Sequence, residues 1–226
     1  MSESLLTPTF LFRFSVSCRR LEKRSSAAGI KLGEEYALPS FGQLAGQSPF
    51  ADLRAAWSER GLFFDLRVRG KKQTVWCRSS RLEDSDGLHV WIDTRDAHNI
   101  HRASRFCHYF VFLPQGSGPR TDDPTAVLVP IHRAREEPRP VAQGQLLVSS
   151  ECQRDGYRLL ASIPAQAMTG YDPAEQPRLG FSYQVQDREL GWQLFSIGPE
   201  FPVAEDPSLW GTLELVESPG RGTPPR

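Results

Sequence analysis

Apolar and polar positions alternate with a period of two in several stretches of the chain. In Leu88–Thr94, Leu88, Val90 and Ile92 share one face, and His89, Trp91 and Asp93 share the other. This is the pattern of a half-buried strand. Leu62–Arg69 repeats it, with Phe64, Leu66 and Val68 inward and Asp65, Arg67 and Arg69 outward. Gly61 and Gly70-Lys71-Lys72 supply its flanking turns. Leu179–Asp187 sets Phe181, Tyr183 and Val185 against Ser182, Gln184 and Gln186. Phe106–Leu113 is apolar or aromatic on both faces apart from His108, as in a strand buried on both sides. Between it and the Leu88 strand lies the polar loop Arg95–Arg105, the kind of connection on which a β domain commonly carries function.

Shorter predicted strands are Thr9–Val16, Tyr36–Leu44, Phe50–Trp57, Thr74–Cys77, Ala126–Ile131, Leu146–Cys152, Tyr157–Ile163, Trp192–Ile197 and Trp210–Val216. Asp155-Gly156 suits the positive-φ positions of a tight hairpin. Pro164–Tyr171 starts with proline and nearly ends with glycine, which predicts one short helix. The expected fold is all-β: an antiparallel two-sheet β-sandwich, jelly-roll or immunoglobulin-like, with at most one short helix. The expected organisation is an N-terminal strand and polar linker over 1–35, the sandwich over 36–216 and a disordered tail over 217–226.

Composition narrows the function. The chain has 226 residues, with 27 Lys plus Arg against 27 Asp plus Glu, so its formal net charge is zero. A general nucleic-acid binder needs a basic surplus, and that class is set aside. No run is long and apolar enough to span a membrane. No basic n-region or small-residue cleavage site marks an export signal near Leu5–Phe12, so the expected location is cytoplasmic. Cys18, Cys77, Cys107 and Cys152 form no CxxC pair and read as reduced thiols. The basic cluster Arg19, Arg20, Lys23 and Arg24 reads as a solvated linker.

Three segments together resemble a known family: DGLHVWIDTRD at Asp86–Asp96, the Gly-Phe-x-Tyr-x-Val-x-Asp strand at Gly180–Asp187, and the closing Trp-Gly-Thr-Leu-Glu-Leu at Trp210–Leu215. They are similar to the family 9 carbohydrate-binding modules and the related DOMON-like sandwich domains, over roughly Leu38–Val216. The resemblance implies a β-sandwich holding a sugar between two tryptophans, with polar groups and structural calcium nearby. Sugar binding needs flat apolar faces for pyranose C–H groups and fixed polar groups for hydroxyls, and Trp supplies the largest such face. By order along the chain, Trp76 and Trp192 are the candidates for the two-tryptophan slot. Arg81, Glu83, Asp84, Asp86, Arg105 and Gln193 are its expected polar neighbours. Trp91, on the polar face of its strand, is a third aromatic candidate, while Trp57 and Trp210 read as core.

His98, His101 and His108, with Asp93 and Asp96, are the one cluster whose residue types suit a transition metal. The aspartates alone suit calcium. No GxSxG elbow, P-loop or dinucleotide fingerprint occurs. Glu83, Asp84 and Asp86 are neighbours on one loop, unlike the carboxylates that flank a glycosidic bond. The leading expectation is thus a non-enzymatic module for a carbohydrate or other small polar ligand, needing no cofactor beyond structural calcium. One alternative is a ligand-free intracellular sandwich acting through a protein partner. Another is a metal-dependent hydrolase using His98, His101 and His108.

Overall fold

The structure is a computed structural model that describes residues 13–21, 30–142, 144–196 and 200–218. Eleven strands lie among them: β1 Ser15–Arg20, β2 Ala51–Ser58, β3 Gly61–Arg69, β4 Gly87–Asp93, β5 Cys107–Ser117, β6 Asp123–Val129, β7 Leu147–Gln153, β8 Gly156–Pro164, β9 Arg178–Asp187, β10 Gly191–Leu194 and β11 Gly211–Val216. The helical elements among the described residues are 3-10 turns of three to five residues. None is long and apolar enough to cross a membrane.

Hydrogen bonding runs without a break in the order β6-β5-β4-β9-β11-β1-β2-β3-β8-β7, and β10 adds to β9. Two antiparallel halves are stitched together by β1. That strand runs parallel to β11, from Ser15↔Thr212 to Arg19↔Val216, and parallel to β2 at Arg19↔Ala56 and Arg20↔Trp57. Because β7 at one end lies against β5 and β6 at the other, the sheet is nearly closed and barrel-like. The all-β expectation stands. The wholly antiparallel pairing is corrected by β1, and the pairing does not divide into two separate sheets.

The inward residues of both halves meet in one core. It contains Phe64 and Leu66 of β3, Val90 and Ile92 of β4, Phe110 and Phe112 of β5, Phe181 and Tyr183 of β9, and Leu213 of β11. On β3, β4, β5 and β9 these are the positions that the period of two or the all-apolar run turns inward. Gly61 opens β3 at φ 135°, where an added Cβ would lie 2.0 Å from the Ile163 carbonyl oxygen, so the turn requires glycine.

Five local expectations change. Among the described residues the N-terminal strand runs over Ser15–Arg20, with Arg13 and Phe14 outside it; residues 9–12 of the expected strand lie outside the described residues, as do 22–29 of the linker and 219–226 of the tail. Tyr36–Leu44 is two 3-10 turns with an isolated bridge Ala37↔Arg54 instead of a strand. Thr74–Cys77 pairs with no strand, and the Pro164–Tyr171 helix shrinks to the turn Ala165–Ala167. Asp65, expected on a solvated face, is buried. The Arg158 Nε donates to its Oδ1 at 2.9 Å, and the Leu32 N–H donates to its Oδ2 at 2.9 Å, which fastens the entering chain to β3.

Candidate functional site

The outer face of β4, β5 and β9 carries a chemistry unlike the rest of the surface. Alternation sends His89 and Trp91 of β4, Tyr109 of β5, and Ser182 and Gln184 of β9 away from the core. Register then brings them side by side: His89↔Gln184, Trp91↔Ser182 and Trp91↔Tyr109. Trp91 and Tyr109 stack with centroids 4.7 Å apart and an interplanar angle of 7°. His89 continues the aromatic row, 5.9 Å from Tyr109 and 6.2 Å from Trp91. The segment 201–205 folds over this row, anchored where the Trp210 indole N–H donates to the Val203 carbonyl at 2.7 Å. Between row and segment is a pocket of about 330 Å³, with Glu83 and Glu205 among its linings. The cover explains why every residue of β4 is buried, although its outer half is polar by sequence.

Six buried side-chain nitrogen or oxygen atoms lack a hydrogen-bond partner among the described residues, and two of them, His89 Nε2 and Trp91 Nε1, belong to residues of the pocket wall while having almost no accessible surface themselves. Their protonation follows from their surroundings. Burial pushes His89 down to about 4, so the ring is neutral. Burial pushes Tyr109 up, so its phenol keeps its proton. The phenol oxygen lies 2.6 Å from His89 Nδ1. A Tyr109 O–H donated to Nδ1 leaves the imidazole hydrogen on Nε2. His89 Nε2–H and Trp91 Nε1–H are then two donors without acceptors, an arrangement that burial makes costly.

The expected slot residues divide. Trp192 is 47% exposed on the outer side of β10, and Trp76 is half-buried. Trp192 is in register with Gln186, Gln186 with Gly87, and the neighbouring Asp86 N–H donates to the Trp76 carbonyl. Three inter-strand steps thus separate the two tryptophan backbones, about 14 Å. The Trp76 ring is approached by the guanidinium carbons of Arg188, Arg78 and Arg81 at 4.8, 5.5 and 5.9 Å, so it does not offer the bare face expected. Arg81 is also paired with Asp84, and Glu83 lies at the pocket edge.

Asp86, Gln193 and Arg105 are corrected. Asp86 is fully buried: Lys71 Nζ donates to it at 3.0 Å, the Trp76 N–H at 3.0 Å and the Arg188 N–H at 2.8 Å. Gln193 points inward beside Val185, accepts from the Phe50 and Ala51 N–H groups, and donates to the Ala51 carbonyl, each at 2.8 Å. Arg105 sits at the far end of the β4–β5 hairpin, with its guanidinium 5.1 Å from the Phe106 ring. The length of β4, about 20 Å, separates it from Trp76.

The polar side chains of the loop 95–105 are tied into the fold by hydrogen bonds and ion pairs. Asp93 accepts from the Arg95 and Ala97 N–H groups at 2.9 and 2.8 Å. Asp96 holds His98 at 2.8 Å, Thr212 at 2.9 Å and Arg178 at 3.1 Å. His101 lies by Asp206 and Ser208, each at 3.1 Å, and buried His108 accepts the Thr169 N–H at 2.8 Å. The three histidines face three different partners, and no group able to hold a metal forms among the described residues. Cys77 and Cys107 offer no nucleophile: burial pushes both up to about 12, which leaves them protonated at neutral pH.

A larger concavity, about 450 Å³, runs between β6 and the segment 137–146. Among the described residues its walls are mainly aliphatic and proline side chains with Glu137 as their one ionisable member, and none of the residues with an unpartnered buried atom lines it. It lacks the fixed polar groups that orient a polar ligand.

No family model and no curated protein matches the sequence. The likeness is structural. A family 9 carbohydrate-binding module from Caldicellulosiruptor kristjanssonii, in complex with cellotriose, is similar with a TM-score of 0.61 and 12% identity, over 94% of this chain and 99% of that one. The same organism's module in complex with glucose gives 0.59 and 13%, over 93% and 100%. A Bacteroides uniformis protein for which carbohydrate binding has been proposed gives 0.56 and 15%, over 91% and 100%. The chain therefore has a fold like that of the family 9 carbohydrate-binding modules, as the three motif segments implied.

Proposed function

We propose that the chain is a non-catalytic carbohydrate-binding module that takes a sugar on the outer face of β4, β9 and β10. The observation that carries this is the aromatic-lined pocket of about 330 Å³ on this face, with Tyr109, Glu83, Ser182 and Gln184 on its lining. Tyr109, the half-buried ring of the stack, suits the C–H face of a pyranose, and Glu83, Ser182 and Gln184 suit its hydroxyls. The ligands of the structural neighbours, cellotriose and glucose, support the same class. At the rim, Trp192 supplies an exposed ring beside the pocket, and Trp76 with Arg81, Glu83 and Asp84 forms the far edge of the ligand surface. Asp86, Gln193 and Arg105 take no part.

Isothermal titration with glucose and cellotriose tests the proposal. Binding of at least one sugar is expected, with the sugar recovered unchanged. Trp91→Phe and Trp192→Ala should each weaken it by about 1–3 kcal/mol, the range for trimming an aromatic side chain from a recognition surface. A folded protein that binds neither these sugars nor any member of a broad glycan panel would reject the reading.

A further inference from the structure

The end of the sheet where β4 turns into β5 is strongly basic. Arg95, Arg102, Arg105, Arg133, Arg135 and Arg139 lie there on two segments, 95–105 and 133–139, and all six are exposed. None of them forms an ion pair with a carboxylate among the described residues. The acids of the same two segments do not cancel this charge. Asp96 is engaged by His98, Thr212 and Arg178, which leaves Glu136 and Glu137 against six guanidiniums. Hydrogen bonds join the two segments into one surface. Arg102 Nε donates to the Arg133 carbonyl at 2.8 Å, and the Arg135 N–H donates to the Ala103 carbonyl at 2.8 Å. Beside them, Arg95 donates to the Gly170 carbonyl at 3.0 Å, and the Arg139 N–H donates to the Thr169 hydroxyl at 3.2 Å. Ala103, Ile131 and Ala134 pack with Trp91 and Cys107 in one small apolar cluster, so both segments rest on an ordered base.

Two of the arginines are also positioned by an aromatic ring. The guanidinium carbons of Arg95 and Arg105 lie 4.4 and 5.1 Å from the centroid of the half-buried Phe106 ring. Arg105, Phe106, Arg139, Thr169 and Gly170 line a concavity of about 420 Å³, in which Glu137 is the one acid among the described residues. Like charges gathered on a fixed base raise the local concentration of anions. A guanidinium offers paired N–H donors that match two oxygens of a sulfate or a carboxylate. One small anion meets few of these arginines, whereas a chain bearing charges at intervals can meet several. Nucleic acid is the poorer match, because the whole chain has zero net charge and lacks the basic surplus that such binding needs. We propose that this end of the sheet is a second binding surface, for an acidic glycan whose sulfate or carboxylate groups pair with these arginines. The glycan class rests on the carbohydrate reading above. The surface itself is separate and shares no lining residue with the pocket beside Trp91 and Tyr109. The two adjoin where His132, the neighbour of Arg133, lies 3.0 Å from the Glu205 carboxylate of the pocket lining.

The test is titration of the full chain with dextran sulfate, alginate, uncharged dextran and single-stranded DNA of matched length, at low and at high salt. Dextran sulfate or alginate should bind about tenfold or more tightly than dextran, and high salt should remove most of that difference. The two polymers separate sulfate from carboxylate as the group preferred. A variant carrying Arg105→Gln, Arg133→Gln and Arg139→Gln should lose about tenfold in affinity for the acidic glycan and bind cellotriose as the parent does. These three side chains are exposed, so the variant should fold, which circular dichroism checks; Arg139→Gln alone should show the same loss in smaller measure. Dextran bound as tightly as both acidic glycans, or variants that bind them like the parent, would overturn the proposal. DNA bound more tightly than either acidic glycan would overturn it too. If the acidic glycans fail while cellotriose binds, the surface is wrong and the pocket reading stands. If they bind through the arginines while no neutral sugar binds, the surface stands and the pocket reading falls.

Discussion

Two buried polar regions lie along the same strand and behave in opposite ways. At the start of β4, Lys71 Nζ reaches Asp86 at 3.0 Å and Asp187 at 2.8 and 2.6 Å. Those carboxylates also accept backbone N–H groups of Trp76, Arg188, Glu189 and Leu190. A few residues further along, on the outer face, His89 and Trp91 hold donors that nothing among the described residues answers. A buried charge cluster with its bonds made is a clasp between the Lys71 segment, the β4 entry and the end of β9. A pair of buried donors left without acceptors in the wall of a pocket is a local cost that the fold carries there. Polar content does not separate the two regions; satisfaction does.

Breaking the clasp should have the largest effect. Lys71→Met leaves two buried carboxylates without their counter-charge and should lower stability by about 3–5 kcal/mol. Urea denaturation reads this as a lower midpoint, and a loss below about 1 kcal/mol would remove the contrast. Acid should act next. Burial holds His89 and His108 at about 4, against about 6.5 in the unfolded chain. The unfolded chain binds these protons first, so stability falls as pH drops from about 6.5 to about 4, by about 3 kcal/mol for each ring. Above pH 6.5 the two rings contribute no slope. His89→Phe should remove on the order of half of the loss in that window. A stability flat from pH 7 to pH 4.5 would show that the rings are not held neutral. The smallest effect belongs to the rim: Trp192→Ala should change stability by no more than about 0.5 kcal/mol in thermal melts. A larger loss would make Trp192 a packing residue and take it off the ligand surface.

Much of this architecture is legible in the chain, for identifiable reasons. Leu88–Thr94 and Leu179–Asp187 show their faces because alternate positions differ sharply in polarity, and Trp91 is visible as an aromatic on a polar face. The inward turn of Gln193 is legible too: parity places Trp192 and Gln193 on opposite faces, and only one can point outward. β1 is harder, since parallel pairing between segments nearly two hundred residues apart leaves no local pattern. Asp86 looks like any loop carboxylate until Lys71 and Asp187 close on it. The pocket itself depends on the segment 201–205 folding over β4, and neither of the two announces the other.

The central claim is that the aromatic-lined pocket on the outer face of β4 is where a sugar binds. Indole N–H signals of Trp91, Trp57, Trp192 and Trp210 can be followed together by ¹H–¹⁵N correlation spectra during titration with cellotriose, with Trp91 assigned by its disappearance in Trp91→Phe. Trp57 and Trp210 already donate to the Val216 and Val203 carbonyls at 3.0 and 2.7 Å. The account predicts that the Trp91 signal, in the pocket wall, shifts and saturates, and that Trp57 stays in place. A saturating titration in which the Trp91 signal does not move would contradict it.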